Sequence, residues 1–155
     1  IVGESLSNHP NDQAEAAPTL DSIPPEMGTP DAAALDAGYF SAANIALFER
    51  RNIAPDIATG RDPHHPSWRE RFADPSPSLP DDASPQVKMA YKLQTKIGQA
   101  IYRLRKCTVE PVIGIIKEVL GFRQFSLRGL KKVTGESTIV CLAWNLKRMA
   151  VLRPQ

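Results

Sequence analysis

A carboxylate and an ammonium group lie seven residues apart in a mainly apolar stretch of this chain. The stretch is TVEPVIGIIKEV, residues 108–119, in which Glu110 precedes a proline and the next charge is Lys117. On an α-helix, positions seven apart return to within about 20° of the same direction, so both groups share a face. A carboxylate suits a divalent cation and an ammonium suits a phosphate, although a structural ion pair would use the same spacing. Gly114, between them, leaves room for a bulky partner such as a nucleic-acid backbone.

A phenol and a guanidinium group precede this pair. Tyr102 and Arg105 are three residues apart in YRLRK, a spacing that makes helical side chains neighbours. Arginine binds phosphate oxygens, and tyrosine hydrogen-bonds to a phosphate or a base. On one straight helix Arg105 would point well away from Glu110, so a shared site requires a bend before Thr108.

The charges divide the chain into an acidic front and a basic back. Residues 1–100 carry 8 Lys and Arg against 14 Asp and Glu, or −6, whereas residues 101–155 carry 11 against 3, or +8; together they give +2. Clustered basic residues gain affinity for nucleic acid by releasing condensed counterions, so the back predicts a polyanionic partner. A solvated pair of basic helices is the alternative interpretation.

Several other classes of site are not indicated. Cys107 and Cys141 have no CxxC spacing and no Cys/His cluster nearby, so neither a zinc site nor a redox pair is expected. His64 and His65 lack a partner ligand at a suitable spacing. No apolar run approaches the roughly 20 residues that cross a bilayer, so no membrane association is expected.

Prolines separate a loop-rich front from a helical back, with twelve of the fourteen in residues 1–85. The front, residues 1–59, predicts part of an α/β sheet. Its strands are expected in IVGESLS and DAAALDAGY, and its helices in DQAEAAPTLDSIP and in SAANIALFERRN, where Ser41 caps. Proline-rich residues 60–84 predict a long loop.

The back, residues 85–155, predicts three helices. The first is capped by Ser84 and begins at Pro85. Thr108 is expected to cap the second, whose first turn tolerates Pro111, and Gly121 to end it. The third, at about residues 135–151, carries an apolar stripe that is expected to lie in the core: Ile139, Leu142, Ala143, Leu146 and Met149.

Two segments carry a family resemblance. YRLRKCTVEPVIGIIKEVLGFRQFSLRGLKKVTGESTIVCLAWNLKRM resembles the C-terminal signature of DDE transposases of bacterial insertion sequences, in the group with a Tyr-Arg-Glu-Lys motif. ALDAGYFSAANIALFERRNI resembles the same family's segment around the second catalytic aspartate. The matches stand in the family's order and, with the connecting KMAYKLQTKIGQAIY, cover most of residues 31–150.

The resemblance implies a ribonuclease-H-like fold in which three carboxylates hold two Mg²⁺ ions, with Mn²⁺ as a possible substitute. Asp36 matches the second carboxylate and Glu110 the third, so both are expected to bind metal and serve catalysis. Tyr102, Arg105 and Lys117 match the phosphate-handling partners of the motif, with Lys117 also counted as catalytic. Four residues separate Arg105 from Glu110, one more than in the commonest form. Arg128 is a further candidate for DNA contact.

The family's first carboxylate has no match in residues 1–30. We therefore expect residues 1–155 to be one partial DDE domain, a truncated ribonuclease-H-like α/β fold with a helical C-terminal part, inactive alone. Expected partners are transposon-end DNA and another copy or a full-length transposase, in the cytoplasm with the nucleoid. Two alternatives remain: a basic helical module that binds DNA or the transposase as an inhibitor, and a relic without function.

Overall fold

The computed structural model describes residues 1–60, 80 and 82–153, except for the side chain of Lys106. The predicted loop over residues 60–84 lies mainly outside the described residues. The fold is α/β and mostly helical, with one small parallel sheet. Its elements are α1 (Ala16–Asp21), β1 (Ala32–Leu35), α2 (Ala42–Arg50), β2 (Ala54–Ile57), α3 (Pro85–Gln94), α4 (Lys96–Glu118) and α5 (Leu130–Leu152). Residues 1–28 with 108–155 form one compact unit, and residues 29–107 form another.

Strand β1, helix α2 and strand β2 form a parallel β-α-β arrangement in the second unit. Ala32 pairs with Ala54 at one end of the sheet, and Leu35 pairs with Ile57 at the other. The sequence predicts β1 and α2 correctly, and the Ser41 hydroxyl caps α2 by accepting the N–H of Asn44 at 3.0 Å. It does not predict β2, since the four residues APDI lack the alternation of a half-buried strand.

The core of the second unit lies against strand β2. Its apolar members are Phe48 from α2, Met89 from α3, and Ile53, Ile57 and Ala58 from β2 and its flanks. Full burial of one such large side chain contributes about 1.5–3 kcal/mol, so Phe48 and Ile57 account for much of the stability of this small sheet. The sheet in turn fixes the residue that follows β1, which is Asp36.

The N-terminal residues do not form the predicted strand. Residues 1–9 have neither helical nor strand structure. The segment is held to α5 instead, through side chains: the Glu4 carboxylate accepts hydrogen bonds from Ser137 at 2.6 Å and Thr138 at 2.5 Å. The prediction of IVGESLS as a strand is therefore wrong, because polar side chains of a helix, and not a neighbouring strand, supply its partners.

The predicted break between the first and second helices of the helical back is misplaced. Helix α3 ends at Gln94, and Thr95 adopts an extended conformation while its hydroxyl accepts the N–H of Gly98 at 3.0 Å. Helix α4 then runs without interruption through Thr108 and Pro111. A separate helix capped by Thr108 is wrong, since the cap is supplied by Thr95. Pro111 instead deprives the helix interior of one N–H, the donor that would reach the carbonyl of Cys107.

Helix α4 stops where the sequence predicts a stop. Gly121 has φ of 73°, the left-handed conformation that glycine adopts without strain, and the N–H of Phe122 donates to the carbonyl of Ile116 at 3.1 Å. Helix α5 begins at Leu130, five residues earlier than expected.

The apolar stripe of α5 is not core, contrary to the sequence prediction. Its large members are 56–68% exposed: Ile139, Leu142, Leu146 and Met149. The reason lies on another face of the same helix, where Ser137, Cys141 and Asn145 contact the N-terminal residues. The polar face of α5 is thus covered, whereas the apolar stripe faces solvent in the described part of the chain.

Candidate functional site

Asp36 occupies the position directly after β1, ahead of the 3₁₀ turn Ala37–Tyr39. Its side chain is 62% exposed. Side chains that follow the carboxyl end of a parallel strand lie at the edge where α/β sheets bind their ligands. Asp36 thus lies at the carboxyl end of β1 with its carboxylate accessible.

Arg105 forms an ion pair with Asp36. One guanidinium nitrogen of Arg105 donates to Oδ1 of Asp36, across 69 residues of sequence. The Arg105 side chain is only 17% exposed, and its guanidinium carbon lies 5.6 Å from the centroid of the Tyr102 ring, within reach of a cation–π interaction. The second unit thus brings together three predicted site residues: Asp36, Tyr102 and Arg105.

Glu110 and Lys117 lie further along α4, in the other unit, and both are exposed. Their shared helix is confirmed, and the spacing of seven places them on one face. A Cβ built on Gly114, between them, would meet no atom within 4 Å. The packing of the described chain therefore does not require a glycine there. Because Asp36 and Glu110 belong to different units, their convergence on one site stays a prediction.

Arg128 is exposed in the loop between α4 and α5, and Glu136 of α5 fixes that loop. The Glu136 carboxylate accepts the backbone N–H groups of Ser126 at 2.8 Å and Leu127 at 3.0 Å. These hydrogen bonds lower the pKa of Glu136 below its ordinary value. Sequence reasoning missed Glu136, although it is the only acid after Glu118 in a strongly basic stretch.

A second acid that sequence reasoning missed is Asp56. It lies in β2, is completely buried, and has Lys92 of α3 as its ion-pair partner at 3.3 Å. An aspartate within a short strand is the signal that could have identified it. A mostly apolar cavity of about 710 Å³ adjoins this pair, lined by residues of α2, β2 and α3 that include Ile45, Pro55 and Lys92. Asp36 does not line that cavity.

The described residues do not by themselves complete a metal site. Among them, no three His, Cys, Asp or Glu side chains approach closely enough to hold an ion. The carboxylate of Asp36 has the oxygen chemistry that Mg²⁺ prefers, but its contact in this structure is the Arg105 guanidinium. A metal site at this position would need further carboxylate ligands in addition to Asp36.

Comparison with protein-family models gives a match in the C-terminal part of the chain. Residues 79–150 match the transposase DDE domain. The match covers slightly less than half of the chain and supports a DDE-type transposase fragment. The matched transposase segment includes the predicted residues Tyr102, Arg105, Glu110, Lys117 and Arg128, whereas Asp36 precedes it.

The comparisons with curated proteins and with solved structures found no similar protein. The ribonuclease-H-like topology therefore stays a prediction. None of the described helices is long and apolar enough to cross a membrane.

Proposed function

We propose that this chain is part of a DDE transposase that acts on the DNA ends of an insertion sequence. The observation that carries the proposal is the transposase match over residues 79–150, a segment that holds Glu110 and Lys117 on one exposed helical face. The net charge of +8 over residues 101–155 supports DNA as the partner.

The basic residues are proposed to bind the DNA backbone. Lys117 is exposed on α4, and Arg128 is exposed in a loop whose backbone is tied to Glu136. An ammonium and a guanidinium placed this way contact phosphate oxygens without reading the base sequence. The open space beside Gly114 favours close approach of a sugar-phosphate backbone to the same face of α4.

Asp36 and Glu110 are proposed as two of the three carboxylates that serve strand cleavage and joining in this family. The family generally uses divalent metal ions, and Mg²⁺ is the ion we propose, with Mn²⁺ as a substitute. Since the described residues do not complete a metal site and residues 1–30 offer no match to the first carboxylate, we expect this chain alone not to cleave DNA.

The proposal is tested with labelled duplexes that carry either the terminal repeats of the encoding element or a scrambled sequence of the same length. We expect binding that prefers the terminal repeats and weakens as salt rises. Lys117→Gln and Arg128→Gln should each weaken binding to the terminal-repeat and scrambled duplexes by the same factor. Each should also reduce the slope of log affinity against log salt concentration by about one. Lys96→Gln, an exposed change in the first turn of α4, is the matched control. Equal, salt-independent binding to both duplexes would refute the proposal, and efficient nicking with Mg²⁺ would refute the expected inactivity.

A second candidate function is an inhibitor that associates with a full-length transposase or another copy of this chain. The exposed apolar stripe on α5 favours a protein partner, because contiguous apolar surface of this kind often marks an interface. Glu110→Gln separates the two candidates: both predict retained DNA affinity, but only the transposase proposal predicts weaker binding of a divalent cation. Salt-dependent DNA binding by the wild-type chain would argue against a relic without function.

A further inference from the structure

We infer that the polar face of α5 binds the phosphate backbone of DNA, and that the Glu4 carboxylate occupies this face until DNA displaces it. The polar face is defined by side chains on one side of the helix: Ser137, Thr138, Cys141, Asn145 and Arg148. The inference rests on the proposed function in one respect, the choice of DNA as the polyanionic partner. It adds a contact surface on α5 and an acid of the same chain that competes with DNA for that surface.

Hydroxyl and thiol groups of the polar face hold the Glu4 carboxylate at both oxygens. Ser137 donates to Oε2 at 2.6 Å, Thr138 donates to Oε1 at 2.5 Å, and the Cys141 thiol donates to Oε2 at 3.2 Å. Burial alone would raise the pKa of Glu4, but these hydrogen bonds outweigh it and lower the pKa below its ordinary value. The polar face therefore stabilises an anionic oxygen group, and serine and threonine hydroxyls bind phosphate oxygens in the same way.

The charge of α5 favours an anion on this helix. The helix carries four basic residues and one acid, Glu136, whose carboxylate already accepts the N–H groups of Ser126 and Leu127. Arg148 is exposed and lies seven residues after Cys141, within about 20° of the same direction. A phosphate group on this face would thus meet a guanidinium as well as the hydroxyl donors, whereas Glu4 is a single carboxylate supplied by the chain itself.

The segment that carries Glu4 can leave α5 without breaking regular structure. Residues 1–9 have neither helical nor strand structure, and the Glu4 contacts with α5 are all made by side chains. After displacement the Thr138 hydroxyl keeps an acceptor, the carbonyl of Thr134 at 3.0 Å. The Ser5 hydroxyl lies 2.8 Å from that of Thr19 in α1, so the segment stays attached on its other side. Glu4 is therefore a displaceable occupant of the polar face.

Removing the Glu4 charge should strengthen DNA binding. With the scrambled duplex as the probe, Glu4→Gln should raise the affinity about fivefold, a typical size for coupling between competing contacts. Glu26→Gln removes the same charge from an exposed position in the same compact unit, and should raise the affinity much less. Adding Ser137→Ala and Thr138→Val to Glu4→Gln should abolish the gain. Equal gains in the Glu4 and Glu26 variants, or a gain that survives loss of both hydroxyls, would overturn the inference.

A second measurement uses the wild-type chain and does not depend on the folding of a variant. Saturation with the scrambled duplex should shift the backbone amide signals of residues 2–6 in NMR spectra, together with those of Ser137 and Thr138. Signals of residues 2–6 that keep their positions in the DNA-saturated chain would show that Glu4 is not displaced, and would overturn the inference.

Inorganic phosphate, titrated without DNA, distinguishes a free ion from a nucleic-acid backbone. It should shift the same amide signals only at phosphate concentrations far above those supplied by the duplex, because a free ion lacks the field of the polyanion. Equal potency of the two, counted per phosphate group, would assign the polar face to free phosphate and overturn its assignment to DNA.

The two proposals fail separately. A gain in Glu4→Gln that is equal for both duplexes, in a chain without preference for terminal-repeat DNA, would retain the competition at α5 and refute the transposase role. Preference for terminal-repeat DNA, with no greater gain in Glu4→Gln than in Glu26→Gln, would do the reverse.

Discussion

The ammonium of Lys92 lies 3.3 Å from Oδ1 of Asp56, a carboxylate with no exposed surface. The same ammonium donates to the carbonyl of Pro55 at 2.5 Å. In the described structure, neither carboxylate oxygen of Asp56 accepts a hydrogen bond. Lys92 is thus the charge that compensates Asp56, and it ties α3 to β2.

Replacing Lys92 by methionine should destabilise the chain strongly, because it leaves a buried carboxylate without its counter-charge. Loss of one partner of a buried pair costs about 3 kcal/mol or more, measurable as a lower midpoint in urea. Lys88→Met, one turn earlier on α3 and exposed, is the control. Adding Asp56→Leu to Lys92→Met should restore most of the loss. A Lys92→Met variant as stable as the wild-type chain would contradict the role of Lys92 as the counter-charge of Asp56.

Gly98 and Gly114 lie in the same helix but should respond to alanine in opposite ways. A Cβ at Gly98 would lie 2.1 Å from the carbonyl oxygen of Lys92, so the corner between α3 and α4 must shift, at a cost of about 2 kcal/mol. Gly114→Ala meets open space and should raise the free energy of unfolding by about 0.5–1 kcal/mol. Thermal unfolding measures both changes. Equal effects of the two substitutions would contradict the packing described at the corner.

Gly114→Ala also bears on DNA binding. If the sugar-phosphate backbone approaches α4 at this position, the added methyl group should weaken the affinity for terminal-repeat DNA while the chain becomes more stable. Unchanged affinity would place the DNA on another face of the helix.

Cys141 should react slowly with iodoacetamide at pH 8. Burial, followed by the hydrogen bond to and negative charge of Glu4, raises the pKa of its thiol to about 11, so little thiolate forms. Cys107 is exposed and should be alkylated first. Glu4→Gln should accelerate Cys141, whereas Glu136→Gln, on the same helix, should not. Mass spectrometry of the two cysteine peptides follows the rates. Equal rates in the wild-type chain would contradict the partial burial of Cys141 and its contact with Glu4.

The contact between the N-terminal residues and α5 should loosen in acid. Burial alone would raise the pKa of Glu4, but hydrogen bonds from Ser137, Thr138 and Cys141 outweigh it, and the pKa lies below its ordinary value of 4.5. The contact is therefore complete above pH 4.5 and is lost as pH falls through the lower, folded-state pKa. The amide shifts of residues 2–6 should report this transition by NMR. Glu4→Gln should abolish it, and a transition that survives in that variant would have another origin.

The exposed stripe on α5 should bind hydrophobic dyes. Changing Ile139 and Leu146 to glutamine should reduce the fluorescence of bound anilinonaphthalene sulfonate several-fold and leave the helical circular dichroism unchanged, since both side chains face solvent. A large loss of helical signal would mean instead that the stripe is packed.

Local signals in the sequence predict the local features of this fold. Ser41 and Ser84 cap the helices that they are expected to cap, and Gly121 ends α4. Each of these depends on one residue and its immediate neighbours. Strand β2 depends on pairing with β1, a tertiary contact that the four residues APDI do not encode alone. The uninterrupted course of α4 through Pro111 likewise contradicts the local preference.

In the candidate site, too, the sequence predicts the local contacts but not the tertiary ones. The spacing of Tyr102 and Arg105 predicts neighbouring side chains, and their 5.6 Å cation–π contact agrees. The partner of Arg105 is 69 residues away in sequence, and spacing carries no information about it. Glu136 and Asp56 were missed for a related reason: their partners are loop amides and a lysine on another helix.

The parallel pairing of β1 with β2 leaves each strand hydrogen-bonded on one side within the described residues. The outward amides and carbonyls can therefore accept a strand delivered by a second polypeptide, as in split proteins that reassemble. A strand added at the β1 edge would extend the sheet beside Asp36.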